Sequence, residues 1–88
     1  MSNISFSEDA WEDYLYWQLQ DKKTLKKINE LLKEIQRTSF SGKGEPEKLR
    51  GDLNGKWSRR INFKDRLVYE ISDETIIVIQ CKGHYSDK

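Results

Sequence analysis

The residues best suited to chemistry are two arginines, a histidine and a glutamate in the second half of the chain. Arg60 and Arg66 lie near the two ends of residues 57–69, β-branched and aromatic segments folded back over a short polar connection. His84 lies in the tail, and Glu47 follows a glycine-rich loop. Guanidinium groups bind phosphate through paired donors and keep their charge at every working pH. The set predicts a site for a polyanionic backbone, with RNA as the favoured ligand.

RNA carries its own nucleophile for chain cleavage, the 2′-hydroxyl. A protein that cleaves it supplies a base for that proton, an acid for the leaving oxygen and positive charge between them. Histidine suits the acid role because neighbouring phosphate favours its charged form. We assign His84 as the candidate acid and Glu47 as the candidate base. Each residue taken alone is more often simply solvated.

Side chains alternate between the two faces of a strand, which predicts the groups that meet. Leu67 and Tyr69 are expected to look into the core, which leaves Arg66 on the open face. In the preceding strand Arg59 and Arg60 point to opposite faces. The stem of Arg59 is expected to cover the core edge while its head reaches water, and we include that head in the RNA-binding set.

The loop between these strands sets how closely the arginines approach. A three-residue loop of residues 63–65 is the simplest one that keeps both apolar sets on one face. It places Asn62 opposite Arg66 and puts Arg60 on the diagonal, on the order of 7 to 8 Å away.

The last strand, expected over residues 75–82, offers two apolar sets for the core. They are Ile76 with Val78, or Ile77 with Ile79 and Cys81. We choose the second set because it extends farther, which turns Gln80, Lys82 and His84 outward on the face of Arg66. This choice requires an odd loop around residues 73–75, because a two-residue turn would reverse the faces.

Two helices are expected to cover the other face, after a short strand over residues 3–6. Ser7 is the candidate N-cap of the first helix and Asp21 that of the second, which ends near Thr38. The apolar stripes expected to pack on the sheet are Trp11, Tyr14, Leu15 and Leu19, then Leu25, Ile28, Leu32 and Ile35. The predicted fold class is α+β, a small antiparallel sheet with two N-terminal helices on one face.

Length and composition exclude several classes of protein. Eighty-eight residues accommodate one domain, residues 1–88. The chain contains no run of about 18 apolar residues, and its first residues lack the basic and apolar parts of a secretory signal. We therefore expect a cytoplasmic protein without a membrane partner. One cysteine and one histidine cannot make a disulfide or a zinc site on their own, so neither metal nor cofactor is expected.

The net charge of +1 hides an uneven distribution along the chain. Residues 41–66 hold eight basic and four acidic side chains, whereas the flanking segments are slightly acidic. A basic patch is the usual footprint of a phosphate-rich partner. A solvated basic loop is the alternative that charge alone leaves open.

Six blocks of sequence are more specific together than any one motif. They are WEDYLYW (11–17), KKINEL (26–31), GKGEPE (42–47), WSRRI (57–61), RLVY (66–69) and HY (84–85). Through these blocks the chain closely resembles the YoeB (Txe) toxins of the RelE superfamily, from about residue 3 to residue 85. It departs from the family pattern by Ser86-Asp87-Lys88 after the His-Tyr pair and by Gly83 before it.

This resemblance implies a bacterial toxin of a type II toxin-antitoxin pair, a metal-independent mRNA interferase that cuts messages in the ribosomal A site. It also implies a microbial-ribonuclease-like α+β fold. Carried over by position, Glu47 is the expected base, His84 the acid, Arg66 the phosphate stabiliser and Tyr85 an active-site aromatic. The expected RNA-binding residues are Lys48, Arg50, Arg59, Arg60 and Lys82.

The resemblance further implies the partners of the protein. These are the ribosome and mRNA, a second copy of the chain in a homodimer, and a cognate antitoxin. Operator DNA is expected to be contacted only through the toxin-antitoxin complex. Two alternatives stay open. One is a non-catalytic RNA- or ribosome-binding module with the same basic face, and the other is an interaction protein whose basic face serves only a protein partner.

Overall fold

Side-chain caps start both helices where the sequence predicts them. The computed structural model describes residues 3–84, in which Ser7 Oγ accepts a hydrogen bond from the Ala10 amide at 3.1 Å and starts α1 (Glu8–Gln20). Asp21 Oδ1 accepts from the Thr24 amide at 3.1 Å and starts α2 (Lys22–Arg37). Neither helix is long and apolar enough to cross a membrane.

Within residues 3–84, five strands form one sheet in the spatial order β1-β5-β4-β3-β2. Their bounds are β1 (Asn3–Phe6), β2 (Glu47–Lys48), β3 (Trp57–Arg60), β4 (Arg66–Ser72) and β5 (Thr75–Gln80), with a short 3₁₀ helix at Gly51–Leu53. β1 runs parallel to β5, and the other neighbours are antiparallel. The predicted α+β class with two helices on one face is confirmed, and the sheet is mixed rather than antiparallel because of β1.

The core lies between the helices and the inner face of the sheet. From α2 it takes Ile28, Leu31, Leu32 and Ile35, and from the strands Leu67, Tyr69, Ile76 and Val78. The stripe predicted for α2 is therefore confirmed. Of the stripe predicted for α1 only Tyr14 packs against the core, since Ala10 and Trp17 are the buried residues of this helix while Trp11 and Leu19 are 48 % and 83 % exposed.

The pairing of β3 with β4 differs from the expected register by two residues. Arg60 pairs with Arg66, so the loop spans residues 61–65 rather than 63–65. Asn62 does not face Arg66 but closes this loop, since its Oδ1 accepts from the amides of Lys64 at 2.9 Å and Asp65 at 2.8 Å. A shift of two residues leaves every side chain on its predicted face.

The turn between β4 and β5 reverses the expected faces at the start of β5. Ser72 pairs with Thr75, so the turn has two residues, which adopt φ values of 50° and 63°. Positive φ at both central residues is typical of the type I′ hairpin turn. Ile76 and Val78 therefore enter the core, and the expected burial of Ile77 and Ile79 is wrong.

A β-bulge at Ile79 then restores the predicted phase. Tyr69 pairs with Val78, but Val68 pairs with Gln80, so Ile79 is an extra residue on β5. Its carbonyl accepts a hydrogen bond from Ser7 Oγ at 2.9 Å. Beyond the bulge Cys81 is fully buried, as expected. The tail consequently leaves the sheet on the side of Arg66.

Candidate active site

The outer face of the sheet carries the predicted catalytic groups. Strand pairing aligns Glu47 with Ser58, Ser58 with Val68, and Val68 with Gln80 in one row across four strands. The next row places Arg60 opposite Arg66. An open cavity of about 240 Å³ lies over both rows, lined by Glu45, Glu47, Ser58, Arg60, Arg66 and His84. The structure thus brings together Glu47, Arg60, Arg66 and His84.

The β3–β4 loop fixes the guanidinium of Arg66. Its Nη1 donates to three loop carbonyls, at 2.9 Å to Asn62 and 3.2 Å to both Phe63 and Asp65. Nε and Nη2 make no hydrogen bond within residues 3–84. The edge formed by Nε and Nη2 therefore keeps two parallel donors, the arrangement that suits a phosphate, and Arg66 lines the cavity.

The guanidinium of Arg60 is less constrained than that of Arg66, because it is half exposed. Its Nε lies 3.8 Å from Oε1 of Glu45, and both side chains face solvent. An exposed ion pair at this distance adds little stability. The weak ion pair with Glu45 therefore leaves the Arg60 guanidinium accessible to another anion.

Glu47 reaches the cavity from a very short edge strand. β2 contains only Glu47 and Lys48, and Glu47 is solvent-exposed. Lys48 pairs with Trp57, so alternation places it on the opposite pleat from Glu47. Lys48 and Arg50 are exposed but do not line the cavity, and their predicted contacts with RNA stay predictions.

The tail brings His84 beside Arg66. The amide of Arg66 donates to the Gly83 carbonyl at 3.0 Å, which attaches the tail to the start of β4. Lys82 is exposed, but its Nζ lies 4.2 Å from the centroid of the Tyr16 ring on α1 and it does not line the cavity, so its predicted contact with RNA stays a prediction. Tyr85 lies outside the described residues, so its active-site role stays a prediction.

The inclusion of Arg59 in the RNA-binding set is wrong, as is the expectation that its head reaches water. The side chain is fully buried. The guanidinium donates to the Tyr69 hydroxyl at 3.2 Å and to the carbonyls of Thr38, Ser39, Ser41 and Lys43 at 2.7 to 3.2 Å. These carbonyls belong to the glycine-rich loop, so Arg59 secures the loop that leads to Glu47.

Gly44 lets this loop lie directly on β3. It adopts a φ of 87°, and its carbonyl accepts the Arg60 amide at 2.6 Å. A Cβ at this position would lie 2.9 Å from Leu31 Cδ2 and 3.0 Å from Arg59 Cβ. Glycine is therefore required both by the backbone conformation and by the close approach.

Burial removes the lone cysteine from the chemistry of the site. It raises the pKa of Cys81 to about 12, and the carboxylate of Asp13 acts in the same direction. The thiol is therefore protonated at neutral pH and is a poor nucleophile. Asp13 itself has a raised pKa, mainly because burial disfavours its charge.

Sequence reasoning missed two cavity residues and two residues that hold the tail. Ser58 could have been found, because alternation places it on the face of Arg60. Glu45 precedes Pro46 in a loop, where no periodicity indicates direction. Asp65 and Gln80 bind the backbone of residues 82–84, and nothing in their sequence spacing signals such contacts.

Comparison with known proteins gives the family. The model of the YoeB-like toxin of bacterial type II toxin-antitoxin systems matches residues 6–85. The chain is 52% identical to Toxin YoeB of Escherichia coli K12 over 82 residues, which covers 93% of this chain and 98% of that protein.

Solved structures agree with this match. The YoeB dimer of Staphylococcus aureus superposes with a TM-score of 0.89 at 54% identity, over 96% of this chain and 98% of that one. The heterotetrameric YoeB-YefM toxin-antitoxin complex of the same organism gives a TM-score of 0.89 at 53% identity, over 97% and 99%. The chain therefore belongs to the YoeB-like toxin family of bacterial type II toxin-antitoxin systems.

Proposed function

We propose that this toxin is a ribosome-dependent endoribonuclease that cuts mRNA in the ribosomal A site and so inhibits translation. The observation that carries the proposal is the shared cavity, whose lining includes two glutamates, two arginines and the only histidine of the chain. These are the groups that phosphodiester cleavage by an internal hydroxyl requires. No metal takes part in the proposed reaction.

The reaction begins when the Glu47 carboxylate accepts the proton of a 2′-hydroxyl. The freed oxygen attacks the adjacent phosphorus, and a 2′,3′-cyclic phosphate forms as the bond from phosphorus to the 5′ oxygen breaks. His84, entering as imidazolium, donates its proton to that leaving oxygen. Arg66 and Arg60 stabilise the additional negative charge on the phosphoryl oxygens.

The openness of the cavity supports a role for the ribosome. About 240 Å³ is below the usual size of a site that encloses a small ligand. A flexible message on such a surface would seldom align its 2′-hydroxyl with the scissile bond. A message held in the A site has already lost this freedom, and alignment of reacting groups contributes a large share of enzymatic rates.

The partners follow from the solved relatives. The relative from Staphylococcus aureus is known as a dimer and as a heterotetramer with the antitoxin YefM. We infer that this chain likewise forms a homodimer and is neutralised by a cognate antitoxin in the cytoplasm. Operator DNA is contacted only through that toxin-antitoxin complex.

Translating ribosomes test the proposal. Purified protein is added to ribosomes on a defined message, and the new 5′ ends are mapped. Glu47→Gln and His84→Gln are each expected to slow cleavage by about 100-fold or more while ribosome binding persists. Glu74→Gln, in the exposed turn at the far end of β4, is the matched control and should cut like the wild type.

Two results would favour the other functions. Ribosome binding without His84-dependent cuts would identify a non-catalytic RNA- or ribosome-binding module. An Arg66→Ala variant that alters complex formation with the antitoxin, yet inhibits growth as the wild type does, would identify an interaction protein.

A further inference from the structure

A buried carboxylate outside the proposed catalytic set binds the segment that carries His84. Asp65 is 2% exposed. Its Oδ1 accepts the Gly83 amide at 2.7 Å, and its Oδ2 accepts from Asn62 Nδ2 at 2.9 Å. Gly83 is the residue immediately before His84. The shorter bond, from the Gly83 amide to Asp65, therefore holds the residue next to the candidate acid.

Two consecutive residues hold both backbone polar groups of Gly83. Asp65 accepts its N–H group, and the amide of Arg66 donates to its carbonyl at 3.0 Å. Gly83 adopts a φ of 76°, in the left-handed region that favours glycine. The turn before His84 is therefore attached to the last residue of the β3–β4 loop and the first residue of β4.

Regular strand pairing ends before His84. β5 ends at Gln80, and residues 81–84 belong to no strand, although the Arg66 amide of β4 donates to the Gly83 carbonyl. Side chains also hold this segment: Asp13 accepts the Cys81 amide at 3.1 Å, and Gln80 Nε2 donates to the carbonyls of Lys82 and His84, each at 3.2 Å. Among these contacts the bond that Asp65 accepts is the shortest, at 2.7 Å, and it holds the residue immediately before His84.

We infer that Asp65 is a positioning residue for the proposed reaction. Its carboxylate fixes Gly83 so that the imidazole of His84 stays beside Arg66 in the cavity. The inference rests on the proposed function, because His84 as acid is part of that proposal. Asp65 makes no contact with RNA in this role, since it is buried and acts through the tail backbone.

Two substitutions separate the contributions of the Asp65 carboxylate. Asp65→Ala removes both acceptors. Asp65→Asn keeps the volume and one acceptor, so it can serve either Gly83 or Asn62 but not both. Asp73→Asn makes the same chemical change in the exposed β4–β5 turn and is the matched control.

Three measurements on the full chain test the inference. Hydrogen exchange of the Gly83 amide, followed by NMR, reports whether the tail is held. Single-turnover cleavage on programmed ribosomes gives the rate of the chemical step, and titration of ribosomes gives the affinity. A displaced acid lowers the single-turnover cleavage rate without weakening ribosome binding, whereas a general loss of structure lowers both the rate and the affinity.

In Asp65→Ala we expect faster Gly83 exchange and cleavage slowed by about 10- to 100-fold, the effect of misplacing a reacting group by about 1 Å. Ribosome affinity should change less than about twofold, and Asp65→Asn should be intermediate in rate. If Asp65→Ala does not fold, the cleavage rate and Gly83 exchange of Asp65→Asn can be compared with those of Asp73→Asn.

Cleavage at the wild-type rate by a folded Asp65→Asn and Asp65→Ala would overturn the inference, as would a loss of affinity equal to the loss of rate. If the wild type does not cut at all, the proposed function fails instead. Unchanged Gly83 exchange in the Asp65 variants would then still refute the positioning role.

Discussion

Arg60 lies directly opposite Arg66 on neighbouring antiparallel strands, and both side chains line the same cavity. Like charges at opposed positions destabilise a sheet. Glu45 offsets little of this repulsion, because its carboxylate is exposed and 3.8 Å from Arg60. An anion bound between the two guanidinium groups would remove the repulsion, so the pair supports the proposed phosphate ligand.

The two arginines should differ in importance for cleavage. Arg66→Ala is expected to lower the single-turnover rate by about 100-fold. Arg66→Lys should recover only part of it, because an ammonium group cannot present two parallel donors. Arg60→Ala should cost less, since the loop does not fix its head. Arg37→Ala, on an exposed part of α2, is the control, and equal losses for Arg60 and Arg66 would contradict this ranking.

The proton donor can be tested by changing the leaving group. A message with sulfur in place of the bridging 5′ oxygen at the cleaved bond needs no acid, because a thiolate leaves unprotonated. This substrate should restore cleavage by His84→Gln but not by Glu47→Gln, whose missing function is proton removal. Rescue of both variants, or of neither, would argue against the assigned roles. Cleavage of the sulfur and oxygen substrates would be compared on the same ribosomes.

Arg59 should matter for stability rather than for RNA. Arg59→Lys is expected to lower the free energy of unfolding by about 3 kcal/mol, because an ammonium group cannot serve the same spread of buried acceptors. Urea unfolding would measure this loss, with Arg37→Lys as the exposed control. A change below about 0.5 kcal/mol would show that the buried hydrogen bonds are dispensable.

The raised pKa of Asp13 predicts how the stability of the protein depends on pH. Its pKa is raised in the folded protein, mainly by burial, so ionisation of this group disfavours folding. The cost is absent below the ordinary pKa of 3.8 and fully present above the raised value. Asp13→Asn abolishes the cost, so its stability relative to the wild type should increase as pH rises from about 3.5 to about 7. Urea unfolding at both pH values would show this, and a difference independent of pH would contradict it.

Cys81 should be unreactive in the folded protein. Its pKa of about 12 keeps the thiol protonated, and its side chain is fully buried. Iodoacetamide at about pH 8 should label it slowly in buffer and rapidly in denaturing urea, because alkylation requires an exposed thiolate. Mass spectrometry would follow the modified fraction. Rapid labelling of the native protein would mean that the tail opens readily.

Local signals were enough for the helix caps and for α2, but not for the buried face of α1 or for the strand phases. The Asp21 cap and the stripe of α2 are set by residues within the helix, so the prediction was correct. In α1 the aromatic spacing misled, because Ala10 makes the close contact with the tail and Trp11 stays half exposed. Proximity in sequence could not indicate which face of α1 the rest of the fold would cover.

The bulge and the burial of Arg59 depend on contacts that are distant in sequence. Ser7 binds the carbonyl of Ile79 across 72 positions, and Arg59 binds carbonyls about 20 positions earlier. Neither interaction leaves a periodic pattern. His84 was placed on the correct face although the expected turn was wrong, because the missed two-residue turn and the missed bulge compensate for each other.

The extra residue in β5 restricts how the length of this strand can vary. Loss of one residue between Thr75 and Gln80 would cancel the bulge and invert the exit of the tail, carrying the imidazole under the helical layer. Loss or gain of two residues would preserve its direction. Among descendants that retain toxicity, insertions and deletions in this segment should therefore occur as even-numbered steps.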